Sequence, residues 1–94
     1  MTDGTRWRIE LSSKAQRQFD SLQKDAALRI WDFLHNKVSP AKDPKRLGKK
    51  LEGARDIWRY RVGSFRILVT LRSESLIVLV LEVGDRGRVY KRRR

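Results

Sequence analysis

The sequence contains no cysteine and a single histidine, His35. Disulfides and thiolate metal sites are excluded, and one histidine leaves nothing from which to build a zinc site. Paired carboxylates are also missing. Asp56, Glu82 and Asp85 are scattered among cations, which argues against Mg²⁺-dependent nuclease chemistry. No glycine-rich phosphate loop of the P-loop or dinucleotide type occurs. The longest apolar run, residues 76–81, has only the length of a strand, so neither a signal peptide nor a membrane span is expected. A soluble cytoplasmic protein without cofactor or metal is the resulting expectation.

What the chain does have is positive charge. It carries 23 Lys and Arg against 11 Asp and Glu, a formal net charge of +12. The charge is uneven. Residues 1–41 hold seven cations and five anions, and residues 42–94 hold sixteen and six. It therefore accompanies the second half of the chain. A basic protein of this size most often meets nucleic acid or another polyanion. With 94 residues, 39% of them hydrophobic, a single domain spanning 1–94 is expected.

Residues 7–11 alternate and predict a short first strand. Ser13 with Gln16 fits a capping box opening a helix, with Ala15, Phe19 and Leu22 facing a core. Asp25 is the expected cap of a second helix whose apolar stripe is Ala27, Ile30, Trp31, Leu34 and Val38, ending at Ser39-Pro40. His35 in that helix reads as a surface or packing residue. Residues 40–56 are a polar connection that Leu47 and Leu51 should pin to the body. Its cations Lys42, Lys45, Arg46, Lys49 and Lys50 suit a phosphate backbone, and a solvated charge run accounts for them equally. Residues 76–83 form a β-rich apolar run, read as a strand buried on both faces.

Between these lies Ile57-Trp-Arg-Tyr-Arg-Val-Gly-Ser-Phe-Arg-Ile-Leu68, which predicts two strands joined by a two-residue Gly63-Ser64 turn of type II′. That turn sets Arg61 opposite Arg66, Tyr60 opposite Ile67 and Trp58 opposite Val69. Alternation puts Trp58, Tyr60, Val62, Phe65, Ile67 and Val69 on one face and Arg59, Arg61 and Arg66 on the other. Directly opposed like charges destabilise a sheet, and a phosphate between the two arginines would remove the conflict. The coarse order is β-α-α-β-β-β, an α+β layer with the helical hairpin on one face of a small antiparallel sheet and the arginine face open.

RNA can be cut without a metal, because its own 2′-hydroxyl attacks the adjacent phosphate. A protein then needs to hold the nucleotide in line and stabilise the developing charge. Arginines do the second through bidentate contacts that stay charged, but with a pKa above about 12 they are poor proton-transfer groups. Tyr90, beside Arg86 and Arg88, is the remaining acid/base candidate. Tyr60, on the core face, reads as packing.

The pattern Leu51-Glu-Gly53, Trp58-Arg-Tyr-Arg61, Phe65-Arg66-Ile67-Leu68, Val83-Gly-Asp-Arg86 and Val89-Tyr90 resembles the RelE toxins of the RelE/ParE superfamily. The resemblance implies a ribosome-dependent mRNA interferase that cleaves mRNA in the ribosomal A site and is silenced by a cognate RelB-like antitoxin in a hetero-oligomer. Carried over by motif, the active-site residues fall on Arg59, Arg61, Arg66, Arg86 and Tyr90. Lys45, Arg46, Lys49, Lys50, Arg88 and Lys91 are candidate contacts to messenger or ribosomal RNA. Where the best-known members have lysine at the first two positions, this chain has arginine, which favours electrostatic roles for Arg59 and Arg61. Asp85 stands where many relatives have histidine. The chain ends four residues after Tyr90, which argues against a substantial exchangeable C-terminal helix. The alternatives are a ParE-like toxin that inhibits DNA gyrase without nuclease activity, and a non-catalytic RNA-binding module.

Overall fold

The computed structural model describes residues 6–85. Strand β1 (Arg8–Leu11) leads into helix α1 (Ser13–Asp20) and helix α2 (Lys24–Phe33), which continues as a π-helical turn at Leu34–Val38. A 3-10 turn at Pro44–Leu47 follows, then β2 (Lys49–Lys50), β3 (Trp58–Val62), β4 (Phe65–Arg72) and β5 (Ile77–Asp85). The five strands form one sheet in the order β1-β5-β4-β3-β2.

The expected α+β layering is present, with two differences in the sheet. The polar connection contributes the two-residue strand β2, antiparallel to β3. Strand β1 pairs with β5 in parallel, Ile9 beside Val78 and Leu11 beside Val80. Strands joined by tight turns must run antiparallel, whereas β1 reaches β5 only through two helices and three strands and is free of that constraint.

The first helix is capped one residue earlier than the box at Ser13 suggests. Ser12 Oγ accepts from the Ala15 amide at 3.0 Å and donates to the Leu81 carbonyl at 3.1 Å. One hydroxyl thus closes a helix end and satisfies a strand edge. Gln18 continues this work: its Oε1 accepts from the Val83 amide at 2.8 Å. Beyond the end of β1, helix α1 completes the hydrogen bonding of β5.

Helix α2 starts after Gln23, which makes no side-chain cap, rather than at Asp25. Its inward residues are Ala26 and Ile30, followed by Leu34 and Val38 on the π turn. Trp31 lies outside this stripe, 40% exposed, and packs against Phe19 and His35 with ring centroids 5.6 and 4.2 Å away. Ser39 ends the segment and ties it to the start of β1, its Oγ donating to the Trp7 carbonyl at 2.6 Å. Among the described residues no helix is long and apolar enough to cross a membrane.

Strand β5 is buried on one face only, contrary to the expectation for residues 76–83. Val78, Val80 and Val83 are buried, while Ile77, Leu79 and Leu81 are half-exposed. The inward residues change phase between 80 and 83 because of a bulge. Leu68 pairs with Glu82 and Val69 with Val80, which leaves Leu81 without a partner on β4. Strict alternation from Val78 and Val80 would have driven Glu82 into the core. The extra residue turns Glu82 outward, where Lys14 of α1 meets it at 2.7 Å, and returns Val83 to the interior.

Tyr60 is the largest fully buried side chain of the core. Its hydroxyl donates to the Pro44 carbonyl at 2.8 Å, and Phe33 packs edge-on at 5.5 Å. This contact anchors the polar connection. Leu47, expected to pin it, is 41% exposed, whereas Pro44 is fully buried. A Cβ at Gly48 would run into the Arg59 carbonyl and the Tyr60 ring, so the chain lies directly on β3 there.

Candidate functional site

The β3–β4 hairpin has the register expected from its turn. Arg61 pairs with Arg66, Tyr60 with Ile67, Trp58 with Val69 and Val62 with Phe65. Gly63 takes φ 61°, and Ser64 is not among the residues with positive φ, as a type II′ turn requires. With Val62 and Phe65 closing the two-residue loop, Arg61 and Arg66 occupy the next position. There the pairing is not hydrogen-bonded and Cα atoms approach to about 4.5 Å. Like charges are thus set side by side on the open face.

The neighbouring strands extend this arrangement. Lys49 of β2 pairs with Arg59, so cations stand in register on adjacent strands. On the other side, Gly84 of β5 pairs with Arg66 and presents no side chain beside it. Leu47, Gly48, Lys49, Arg59 and Arg61 line a shallow depression of about 230 Å³. Arg61 is exposed, and Arg59 and Arg66 are half-buried. The ion pairs among the described residues are Arg8 with Glu10 and Lys14 with Glu82, and neither involves Arg59, Arg61, Arg66 or Lys49. At an effective dielectric of about 20, two unit charges 4 Å apart repel by about 4 kcal/mol. Solvent screening on an open face reduces this.

The basic residues of the connection do not all join this face. Lys49 does. Lys50 pairs with Trp58 and Lys45 Nζ sits 5.7 Å from the Trp58 ring centroid, so both belong to the opposite side of β3. Arg46 is exposed on the 3-10 turn, held next to a cap in which Asp43 accepts from the Lys45 amide at 3.3 Å. Arg86, Arg88, Tyr90 and Lys91 lie outside the described residues.

The titratable neighbours of the arginines among the described residues are Lys49, opposite Arg59, and Glu82, opposite Leu68 and paired with Lys14. The Tyr60 phenol is held well above its ordinary range, first by burial and then by the negative charge of Asp43. Bonded to Pro44 inside the core, it serves packing, as its position on the strand suggested. His35 packs against Trp31 in the helical layer with the two rings tilted by 47°. The face can therefore bind an anion and stabilise added negative charge. Sequence reasoning missed one cation near it. Arg29 of α2 reaches the turn, its Nη1 3.7 Å from where a Cβ on Gly63 would lie. Only packing of the helix on the sheet places it there, and no local signal marks it.

Residues 9–90 match the family described as ParE toxin of type II toxin-antitoxin system, parDE. Among solved structures the chain is similar to one from the RelBE2 toxin–antitoxin complex of Mycobacterium tuberculosis. The TM-score is 0.79 at 22% identity, covering 93% of this chain and 99% of that one. It is also similar to a chain of the intact RelBE complex of E. coli, with a TM-score of 0.67 and 20% identity over 84% and 95%. A chain of the archaeal RelE–RelB complex from Pyrococcus horikoshii gives 0.66 and 23% over 87% and 97%. At these identities the likeness establishes the fold. No match is found among curated proteins.

Proposed function

The chain belongs to the RelE/ParE family of toxins of type II toxin–antitoxin systems, and from that premise we propose that it is a ribosome-dependent endoribonuclease that cuts mRNA in the ribosomal A site. The observation carrying this reading is the opposition of Arg61 and Arg66, with Arg59 and Lys49 alongside and no carboxylate paired to them among the described residues.

In this reading the 2′-oxygen of the message attacks its own adjacent phosphorus and the bond to the 5′-oxygen breaks. The products are a 2′,3′-cyclic phosphate and a 5′-hydroxyl. The hydroxyl proton lost at the 2′-oxygen is balanced by the proton gained at the leaving oxygen. Arg61, Arg66 and Arg86 clamp the phosphate and stabilise the charge that develops on it. Arg59 positions the RNA, and Lys49 extends the contact along β2. Tyr90 stacks on a base or moves a proton. Stacking of this kind is worth about 1–3 kcal/mol. The remaining basic residues Lys45, Arg46, Lys50, Arg88 and Lys91 add backbone contacts whose contribution falls with salt.

An antitoxin follows from the same charge. The related solved complexes pair RelE with RelB, and a net charge of +12 favours an acidic or amphipathic partner segment over the open face. The half-exposed Leu68, Ile77 and Leu79 on that face supply apolar contacts beside the cations.

Translation of a defined message by ribosomes, with breaks mapped by primer extension, tests the proposal. Arg61→Ala should lower cleavage by about 10²–10³-fold, the loss typical of deleting one charge-stabilising donor. Cutting by this variant at the wild-type rate sinks the assignment. A second reading, a ParE-like toxin acting on DNA gyrase without nuclease activity, is favoured by the ParE description of the matching family. Gyrase-dependent DNA breaks with intact message would select it.

A further inference from the structure

Arg29 has two carboxylates within helical reach, Asp25 four residues before it and Asp32 three residues after. Such spacings normally pair. Its guanidinium instead lies against the Gly63–Ser64 turn, and it forms no ion pair among the described residues. Asp32 is occupied by Asn36, whose Nδ2 donates to it at 2.5 Å. A third arginine, exposed like Arg61, is thus held at the tip of the hairpin whose second strand pair already opposes Arg61 and Arg66. Three cations reach one turn from three elements, α2, β3 and β4. Arg61 and Arg66 repel each other directly, and Arg29 adds positive charge at the same turn, where the nearest acid by register is Asp85, opposite Phe65 on β5.

From this juxtaposition we infer that the hairpin tip is a second phosphate-binding position, in which Arg29 holds an RNA phosphodiester next to the one on Arg61 and Arg66. The inference rests on the proposed RNA-cleaving function and adds a residue to it. Arg61 and Arg66 occupy the open face, whereas Arg29 arrives from the helical layer. An RNA strand seated on the face would therefore continue around the turn. The small Gly63-Ser64 pair keeps that path clear. Arg29 is a binding residue in this arrangement, outside the cleavage step, and its contact is to the backbone and so independent of base sequence.

The phosphodiester has two possible sources, the message and ribosomal RNA, and two assays separate them. The first measures binding of a short single-stranded RNA carrying a 2′-deoxy sugar at the cleavage position. The second measures single-turnover cleavage on ribosomes programmed with a defined message, over a range of toxin and salt concentrations. Arg29→Ala should raise the half-saturating toxin concentration on ribosomes several-fold and reduce the salt slope of log K by about 1, the signature of one lost phosphate contact. The plateau rate should stay within about twofold, because a backbone contact remote from the cleaved bond adds uniform binding. Arg29→Lys should recover most of the affinity, which a structural role for the guanidinium would not allow. Weakened binding to the free oligonucleotide assigns the contact to the message. A loss confined to ribosomes assigns it to ribosomal RNA. Unchanged affinity and salt slope in both assays overturn the inference. Arg61→Ala is run in parallel. If it cuts at the wild-type rate, the cleavage assignment falls; if it is inactive while Arg29→Ala is unaffected, only the role of Arg29 falls.

Discussion

The two faces of the β3–β4 hairpin are built from the same ten or so residues and obey opposite rules. On the inner face Tyr60, Ile67 and Val69 are fully buried, and the Tyr60 hydroxyl has its partner in Pro44. On the outer face Arg59, Arg61 and Arg66 form no ion pair among the described residues, and Glu82, opposite Leu68 on that face, is held by Lys14. The inner face is finished by the chain itself. The outer face leaves Arg61 and Arg66 opposed, which the chain does not neutralise with an ion pair among the described residues. A strand with period two permits this division, because alternate side chains never meet. Stability can be concentrated on one side and unmet charge on the other, within a single hairpin.

Substitutions on the two faces should therefore separate stability from activity. The largest stability loss is expected inside: Ile67→Ala opens a cavity beside Tyr60 and should destabilise the fold by about 2–5 kcal/mol. For a domain of this size that is a fall in melting temperature of at least about 8 °C, read by calorimetry. A loss no larger than that of a surface change would contradict a core centred on this pair.

Next comes Tyr60→Phe, which leaves the Pro44 carbonyl without its donor and should remove about 1–3 kcal/mol. The same variant reports on pH. The folded phenol titrates above its ordinary value of 10.0. The folded state therefore holds the proton more tightly than the unfolded chain does. The resulting stability is fully present below pH 10 and is lost as pH rises above it toward the folded value. Denaturant titrations from pH 8 to 11 should show the advantage of wild type over Tyr60→Phe shrinking above pH 10. A constant difference would mean that burial does not hold the phenol neutral.

Ser12→Ala tests the edge where α1 completes β5. It removes a helix cap and the partner of the bulge carbonyl at Leu81, with an expected loss of about 0.5–2 kcal/mol. Protection from hydrogen exchange should fall first at residues 81–83.

The smallest effect has the opposite sign. Arg66→Thr removes the like-charge opposition with Arg61 and should stabilise the fold by about 0.2–1 kcal/mol at low salt, with the gain diminishing as salt screens the pair. Cleavage should be lost in the same variant. A destabilised Arg66→Thr would show that the guanidinium is held by the fold, and the contrast between the two faces would dissolve.

The hairpin was legible from the sequence down to individual pairs because everything that sets it is local. A Gly-Ser turn fixes which residues oppose one another, and alternation fixes which face each one takes. The two helices and the layered α+β arrangement were legible for the same reason, through apolar spacing. Their ends were less so. Ser12 rather than Ser13 became the cap because the hydroxyl also serves the Leu81 carbonyl, sixty-nine residues away.

Tertiary structure alone decided the remainder. The parallel pairing of β1 with β5 depends on which sheet edge stays free after the hairpins form. The bulge at Leu81 reflects a choice between burying Glu82 and breaking the ladder, settled by the surroundings of both. The basic run of the connection divides across β3 once Gly48 settles on Tyr60, sending Lys49 to the arginines and Lys50 to Trp58. Arg29 arrives at the hairpin tip only because α2 packs over β3. Sequence periodicity determines which face of its own element a side chain takes. Which distant side chains share that face is set by packing between elements, and for this chain that decides how many cations a bound phosphate would meet.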